Sequence, residues 1–114
     1  MNKEIFQFYK QKEEDIRALG KDKELRNDTY EWIIKTSKYK YTYNFEWLGR
    51  PIIQFPQDII ALQELIWEVK PDLIVETGIA HGGSLIFSAS MLALLEISKA
   101  IKKGKVLGID ITTS

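Results

Sequence analysis

Apolar residues in the first forty positions recur at helical spacing. Ile5, Phe8, Tyr9, Ile16 and Leu19 stand three, four and seven residues apart in a segment dense in Lys, Glu and Asp, and Gly20 follows them. The pattern predicts an amphipathic helix ending near Gly20. A second helix is expected over about Lys23 to Lys38, with Leu25, Tyr30, Ile33 and Ile34 as its buried stripe and mixed-sign charges facing water. Between Ser37 and Gln57 aromatics crowd a stretch broken by Gly49, Pro51 and Pro56, which predicts a loop with little regular helix. Tyr39, Tyr41 and Tyr43 alternate, as in a short extended segment. Rings at this density are costly to leave in water, so the loop must cover something. Either Phe45, Trp47 and Ile52 pack on the core or on a neighbouring subunit, or the loop is a lid over a ligand pocket.

From Pro56 onward the pattern changes twice. Pro56 at a first helical position, with Asp58 in the first turn, opens a helix through Ile59, Leu62, Leu65 and Ile66 that ends at Lys70, before Pro71. Asp72 to Glu76 is a short apolar run, as in a strand buried on both faces of a parallel sheet. Leu85 to Ile101, free of Gly and Pro, reads as one long helix, with Lys102 and Lys103 at its negative end and Gly104 as a left-handed cap. Lys105 to Asp110 is a second strand. Strand, glycine-rich turn, helix and strand make a crossover unit, the first step of a doubly wound α/β fold.

Composition narrows the chemistry. The 114 residues suit one domain with a modest core. With no cysteine, disulfide, zinc–thiolate and cysteine-nucleophile chemistry are excluded. A single histidine, His81, excludes any one-chain site needing two imidazoles. Sixteen basic residues balance sixteen acidic ones, so electrostatics favours neither a nucleic acid nor an anionic membrane as partner. No run of about 18 apolar residues occurs, and the N-terminus is too charged for a secretory segment. A soluble cytoplasmic protein is expected.

The chemistry concentrates in the turn Glu76-Thr77-Gly78-Ile79-Ala80-His81-Gly82-Gly83-Ser84. Gly78 permits a tight turn with close backbone approach to a ligand, and Gly82 and Gly83 clear the start of the helix so that its amides can face an anion. A P-loop would need a lysine before Ser84, and a dinucleotide fingerprint would need a second glycine two residues after Gly78. The Glu-x-Gly spacing points instead to adenosylmethionine-dependent methyltransferases. Asp110, ending the second strand, is placed to accept hydrogen bonds from both ribose hydroxyls. Plainer roles stand beside these: Glu76 as a brace for the loop, Asp110 as a solvated strand-end carboxylate, Ser84 as an ordinary first-turn residue. His81 reads as a turn residue with no part in proton transfer.

The runs Tyr43-Asn44-Phe45-Glu46-Trp47-Leu48-Gly49-Arg50-Pro51-Ile52-Ile53-Gln54-Phe55-Pro56-Gln57-Asp58, Lys70 through Ser84, and Gly108-Ile109-Asp110-Ile111 closely resemble the cephalosporin hydroxylase/rhamnosyl O-methyltransferase family. The resemblance implies a Rossmann-like class I methyltransferase fold that binds S-adenosylmethionine, with cofactor contacts at Glu76, Gly78, Gly82, Gly83, Ser84 and Asp110. It implies as substrate a small molecule bearing a sugar or secondary-metabolite hydroxyl, and a homo-oligomer. On this reading residues 1–55 are a helical N-terminal segment with the aromatic loop, and residues 56–114 are the first helix-strand-helix-strand portion of the cofactor-binding domain. Members of the family continue with further strands that carry the acceptor site and acidic ligands for a magnesium ion, whereas this sequence ends at Thr112-Thr113-Ser114. It is therefore expected to be truncated after the second strand and inactive alone. No general base and no metal ligand can be named. The alternatives are a noncatalytic self-assembling module derived from the methyltransferase fold and, with less support from the turn, a dinucleotide oxidoreductase.

Overall fold

The computed structural model describes residues 2–111. Met1 and the Thr112-Thr113-Ser114 end, on which the expectation of truncation rests, lie outside the described residues. The chain divides between Tyr39 and Lys40 into two units.

The first unit is helical. Helix α1, Lys3–Lys21, starts where the Asn2 side chain accepts from the amides of Glu4 and Ile5 at 2.7 and 3.2 Å, an N-cap that satisfies two otherwise unpaired donors. It runs through Gly20 to Lys21. Asp22 closes it and caps α2, Lys23–Ser37, by accepting from Leu25 N–H at 2.9 Å. Arg26 donates to the Gly20 carbonyl at 2.7 Å across this one-residue joint. The apolar stripe of α1 is exposed. A Cβ at Gly20 would have no atom within 4 Å, so Gly20→Ala should stabilise α1 by roughly 0.5 to 1 kcal/mol through reduced backbone entropy. Thermal unfolding followed by circular dichroism checks this, and a loss of helicity would contradict it.

The second unit opens with a single 3-10 turn at Tyr41–Tyr43 in place of the extended stretch expected from the alternating tyrosines. The chain folds back there because the Tyr41 ring packs edge-on against Phe45, 5.1 Å between centroids, and against Phe55. A hairpin that sequence periodicity did not disclose follows. Strand β1, Phe45–Trp47, pairs antiparallel with β2, Arg50–Ile52, through a turn in which Leu48 and Gly49 have φ +48° and +82°. Helix α3, Pro56–Val69, begins at the proline as expected and ends where Lys70 turns left-handed before Pro71. Strand β3, Leu73–Thr77, helix α4, Gly83–Ile97, and strand β4, Lys105–Ile109, complete the unit. β3 and β4 pair in parallel, Leu73 opposite Lys105 through Thr77 opposite Ile109, the pairing that a crossover helix permits.

The core lies around α4. Phe87, Met91, Leu92 and Leu95 bury one broad face of it against Ile52 of the hairpin and Ile59 and Ile66 of α3. Trp47 meets Phe87 edge to face at 4.8 Å and donates from its indole to Ser90 Oγ at 3.0 Å. The aromatic segment thus packs on the core, as the first of its two readings required.

Three further expectations need correction. Leu25, Tyr30, Ile33 and Ile34, expected to be the buried stripe of the second helix, are exposed. α4 stops at Ile97 rather than Ile101: Ser98 bonds back to Leu94, Lys99 takes the left-handed conformation at φ +63°, and Glu96 accepts the Gly104 amide. Ile101 must leave the helix to pack on the core, and Gly104 is small because a Cβ there would come within 2.8 Å of Leu92 Cβ. β3, expected to be buried on both faces, is covered on one, and so is β4. Ile74 and Val106 pack on the core, whereas Leu73, Val75, Leu107 and Ile109 are exposed.

Candidate functional site

β3 delivers the chain to a turn whose backbone alternates in hand. Gly78, Ala80 and Gly82 have φ of +79°, +48° and +87°. Glycine adopts these values freely and Ala80 does so under strain, which persists only where surrounding bonds determine it. Those bonds are present. Gly78 N–H donates to the Ile109 carbonyl at 2.7 Å and Gly82 N–H to the Ile79 carbonyl at 2.9 Å. Asp110 accepts the Ile79 amide on Oδ2 at 2.8 Å and the Ile111 amide on Oδ1 at 2.7 Å, so the end of β4 clamps the turn after β3.

Ser84 donates its hydroxyl to Glu76 Oε1. The other carboxylate oxygen, Oε2, is buried without a hydrogen-bond partner. A buried acceptor left unpaired costs about 1 to 3 kcal/mol and more when charged, so this oxygen calls for a partner that the described residues do not supply.

Glu76 lines a cavity of about 250 Å³. One side is the turn, from Glu76 to Ala80, with Gly83 and Ser84; the other is Pro51, Ile53 and Gln54 of β2 and the segment leaving it. Gly83 makes this junction feasible, since a Cβ there would stand 2.2 Å from the Pro51 carbonyl oxygen. Its smallness therefore serves the packing of the hairpin on α4, and Gly83 is buried there. Around Gly78 there is open space, with no atom within 4 Å of where a Cβ would stand.

Of the six residues singled out from the sequence, Glu76, Gly78, Gly83 and Ser84 line the cavity. Gly82 caps α4 beneath the Arg50 guanidinium, and Asp110 reaches the cavity only through Ile79, one of its lining residues. His81 is exposed and outside the lining. Sequence reasoning missed Gln54, Ile53 and Pro51 as individual site residues; the one signal for them was the aromatic loop's alternative reading as a cover for a pocket. Among the described residues no group of three or more His, Asp or Glu is arranged to hold a metal ion. No helix among them is long and apolar enough to cross a membrane.

These elements define a protein of mixed helix and strand with a candidate ligand site at the carboxyl ends of two parallel strands, where ligands of open α/β sheets bind. The family model for rhamnosyl O-methyltransferase/CmcI matches residues 39–114, and the chain belongs to that family. The second unit is accordingly an O-methyltransferase-related domain. No curated protein and no solved structure matches the chain.

Proposed function

We propose that the chain is the S-adenosylmethionine-binding portion of an O-methyltransferase acting on a sugar or secondary-metabolite hydroxyl. The observation that carries this reading is the unpartnered, buried Oε2 of Glu76, a residue that lines a cavity at the end of β3. A ligand ammonium would supply the missing partner. The space at Gly78 admits a ligand close to the backbone. At about 250 Å³ the cavity is smaller than typical pockets for whole drug-sized ligands, which begin near 300 Å³. It suits the amino-acid end of such a cofactor, with the ribose lying outward toward Asp110. Asp110 Oδ2 and Oδ1 accept the Ile79 and Ile111 amides, and a carboxylate oxygen can accept more than one hydrogen bond.

When bound, the cofactor supplies an electrophilic methyl group on sulfur. Glu76 and the turn hold its charged end, and Pro51 and Ile53 keep water from one side of the cavity. The described residues name no base for the acceptor hydroxyl. The reading also includes a Rossmann-like sheet larger than β3 and β4, since Val75 and Leu107 are about half exposed, at 53% and 49%, on the uncovered face. Self-assembly is part of it too, supported by the exposed Ile5, Phe8, Tyr9, Ile16 and Leu19 of α1.

Thermal shift with S-adenosylmethionine, S-adenosylhomocysteine and NAD tests the proposal, because a ligand that binds the native state raises the midpoint. The first two should stabilise the chain and NAD should not. A shift with NAD alone would assign the site to a dinucleotide instead. Asp110→Ala should weaken S-adenosylmethionine binding by roughly 1 to 3 kcal/mol, the cost of losing hydrogen bonds to a charged acceptor. Calorimetry showing unchanged affinity would remove Asp110 from the site.

A further inference from the structure

In α1, Ile5, Tyr9, Lys12, Ile16 and Leu19 follow one another at intervals of four, three, four and three residues, the alternation that keeps a seam facing a second helix. At ~100° per residue these five fall within an arc of about 80°, with Phe8 at its edge. No residue of α1 is buried, and Ile5, Phe8, Tyr9, Ile16 and Leu19 are 47% to 66% exposed. Lys12 interrupts the seam at its middle, its Nζ 5.7 Å from the centre of the Tyr9 ring. Glu13 and Asp15 border the seam on opposite sides, and Asp15 accepts from Gln11 Nε2 at 3.0 Å. A groove lined by Phe6, Tyr9, Lys10 and Glu13 runs along the Glu13 side. The match to the family model begins at residue 39, so α1 stands outside it.

A lone cation inside an apolar seam selects what can cover it. An anionic membrane would meet acidic residues at both borders of the seam. A parallel pairing with a second copy, in register, would set two Lys12 ammoniums in one layer. An antiparallel pairing about a two-fold axis near Glu13 and Glu14 instead sets Lys12 of each copy against Asp15 of the other, and Phe8 of each against Leu19. The charges then match reciprocally, as an interface between identical surfaces requires. We infer that α1 is the docking face for a second copy of this chain, the two α1 helices packing antiparallel with Lys12 and Asp15 paired across the interface. The inference rests on the self-assembly reading above and gives it a surface, a direction and a register. Burial of the rings and aliphatic side chains supplies the affinity. Lys12 fixes the register, as a single polar seam residue does at some cost in stability.

Sedimentation velocity on the unaltered chain, from micromolar to submillimolar concentration, should show a reversible dimer. Lys12→Glu would face Asp15 of the second copy, and Asp15→Lys would face its Lys12. Each variant alone should therefore associate roughly tenfold more weakly, every change counting twice across the two-fold axis. Glu and Lys are both good helix formers, so neither exchange breaks α1. An equimolar mixture of the two variants regains both opposite-charge pairs and should dimerise as the unaltered chain does. Asp15→Lys also separates the two directions, because a parallel seam would leave its association unchanged. A dimer that Asp15→Lys does not weaken, or two variants that stay apart when mixed, would overturn the inference while leaving self-assembly through another face. A monomer at every concentration would defeat the inference and the self-assembly reading together. S-adenosylmethionine is titrated separately into the same samples, so the cofactor reading stands or falls on its own.

Discussion

Gly83→Ala is expected to be among the most damaging single-methyl additions in the second unit. The new Cβ would lie 2.2 Å from the Pro51 carbonyl oxygen, 2.6 Å from Pro51 C and 2.8 Å from Ile52 Cα. All three atoms are backbone, so no side-chain rotation relieves the clash. The hairpin must move away from α4, and with it Ile52, which is 1% exposed in the core. Overpacking of this kind costs about 1 to 3 kcal/mol and occasionally more. A loss at or above the upper end is expected here because backbone is displaced. Gly78→Ala, by comparison, meets no atom within 4 Å and bears only the cost of a left-handed alanine, about 1 to 2 kcal/mol. Urea unfolding should rank the two by a lower midpoint for Gly83→Ala at similar slope. The reverse order would mean that β2 does not rest on the start of α4.

Glu76→Gln should separate binding from folding. The substitution keeps the side chain's size and an acceptor for Ser84, and removes a negative charge whose second oxygen is buried and unpartnered. In the free protein that charge is a burden, so its removal should leave stability unchanged or raised. For a ligand that brings an ammonium to Oε2, the same change removes the charge partner and should weaken affinity by about 2 kcal/mol or more, a factor of roughly thirty. Opposite movements of stability and affinity are the signature. If Glu76 were a brace for the loop and nothing else, the variant would lose stability and keep its affinity.

The sequence disclosed most where local chemistry alone decides structure. Pro56 opened α3, Lys70 before Pro71 closed it, and the apolar runs became β3 and β4. The turn stood out because its glycines have few other uses at that spacing. What escaped notice depends on tertiary contact. Three-residue strands such as Phe45–Trp47 carry too little periodicity to register, and the hairpin exists because Trp47 and Ile52 pack on α4. The same cause hid Gln54 and Arg50, whose positions beside the turn follow from that packing. The end of α4 was misread because Ala100 and Ile101 favour helix locally, while the core demands Ile101 outside it. Asp110 was legible as a site residue, but not its grip on the Ile79 amide, which depends on the register of β3 against β4.

The central claim is that the turn from Glu76 to Ser84 receives S-adenosylmethionine. The most direct measurement is a titration of the isotopically labelled chain with that ligand, followed through backbone amide resonances. The account predicts saturable shifts concentrated at Gly78, Ile79, Ala80, Gly83, Ser84 and Asp110, with Gln54 and Ile53 moving alongside them across the cavity. Saturable shifts confined to α1, α2 or the open face of β3 and β4, or no shifts at millimolar ligand, would contradict it.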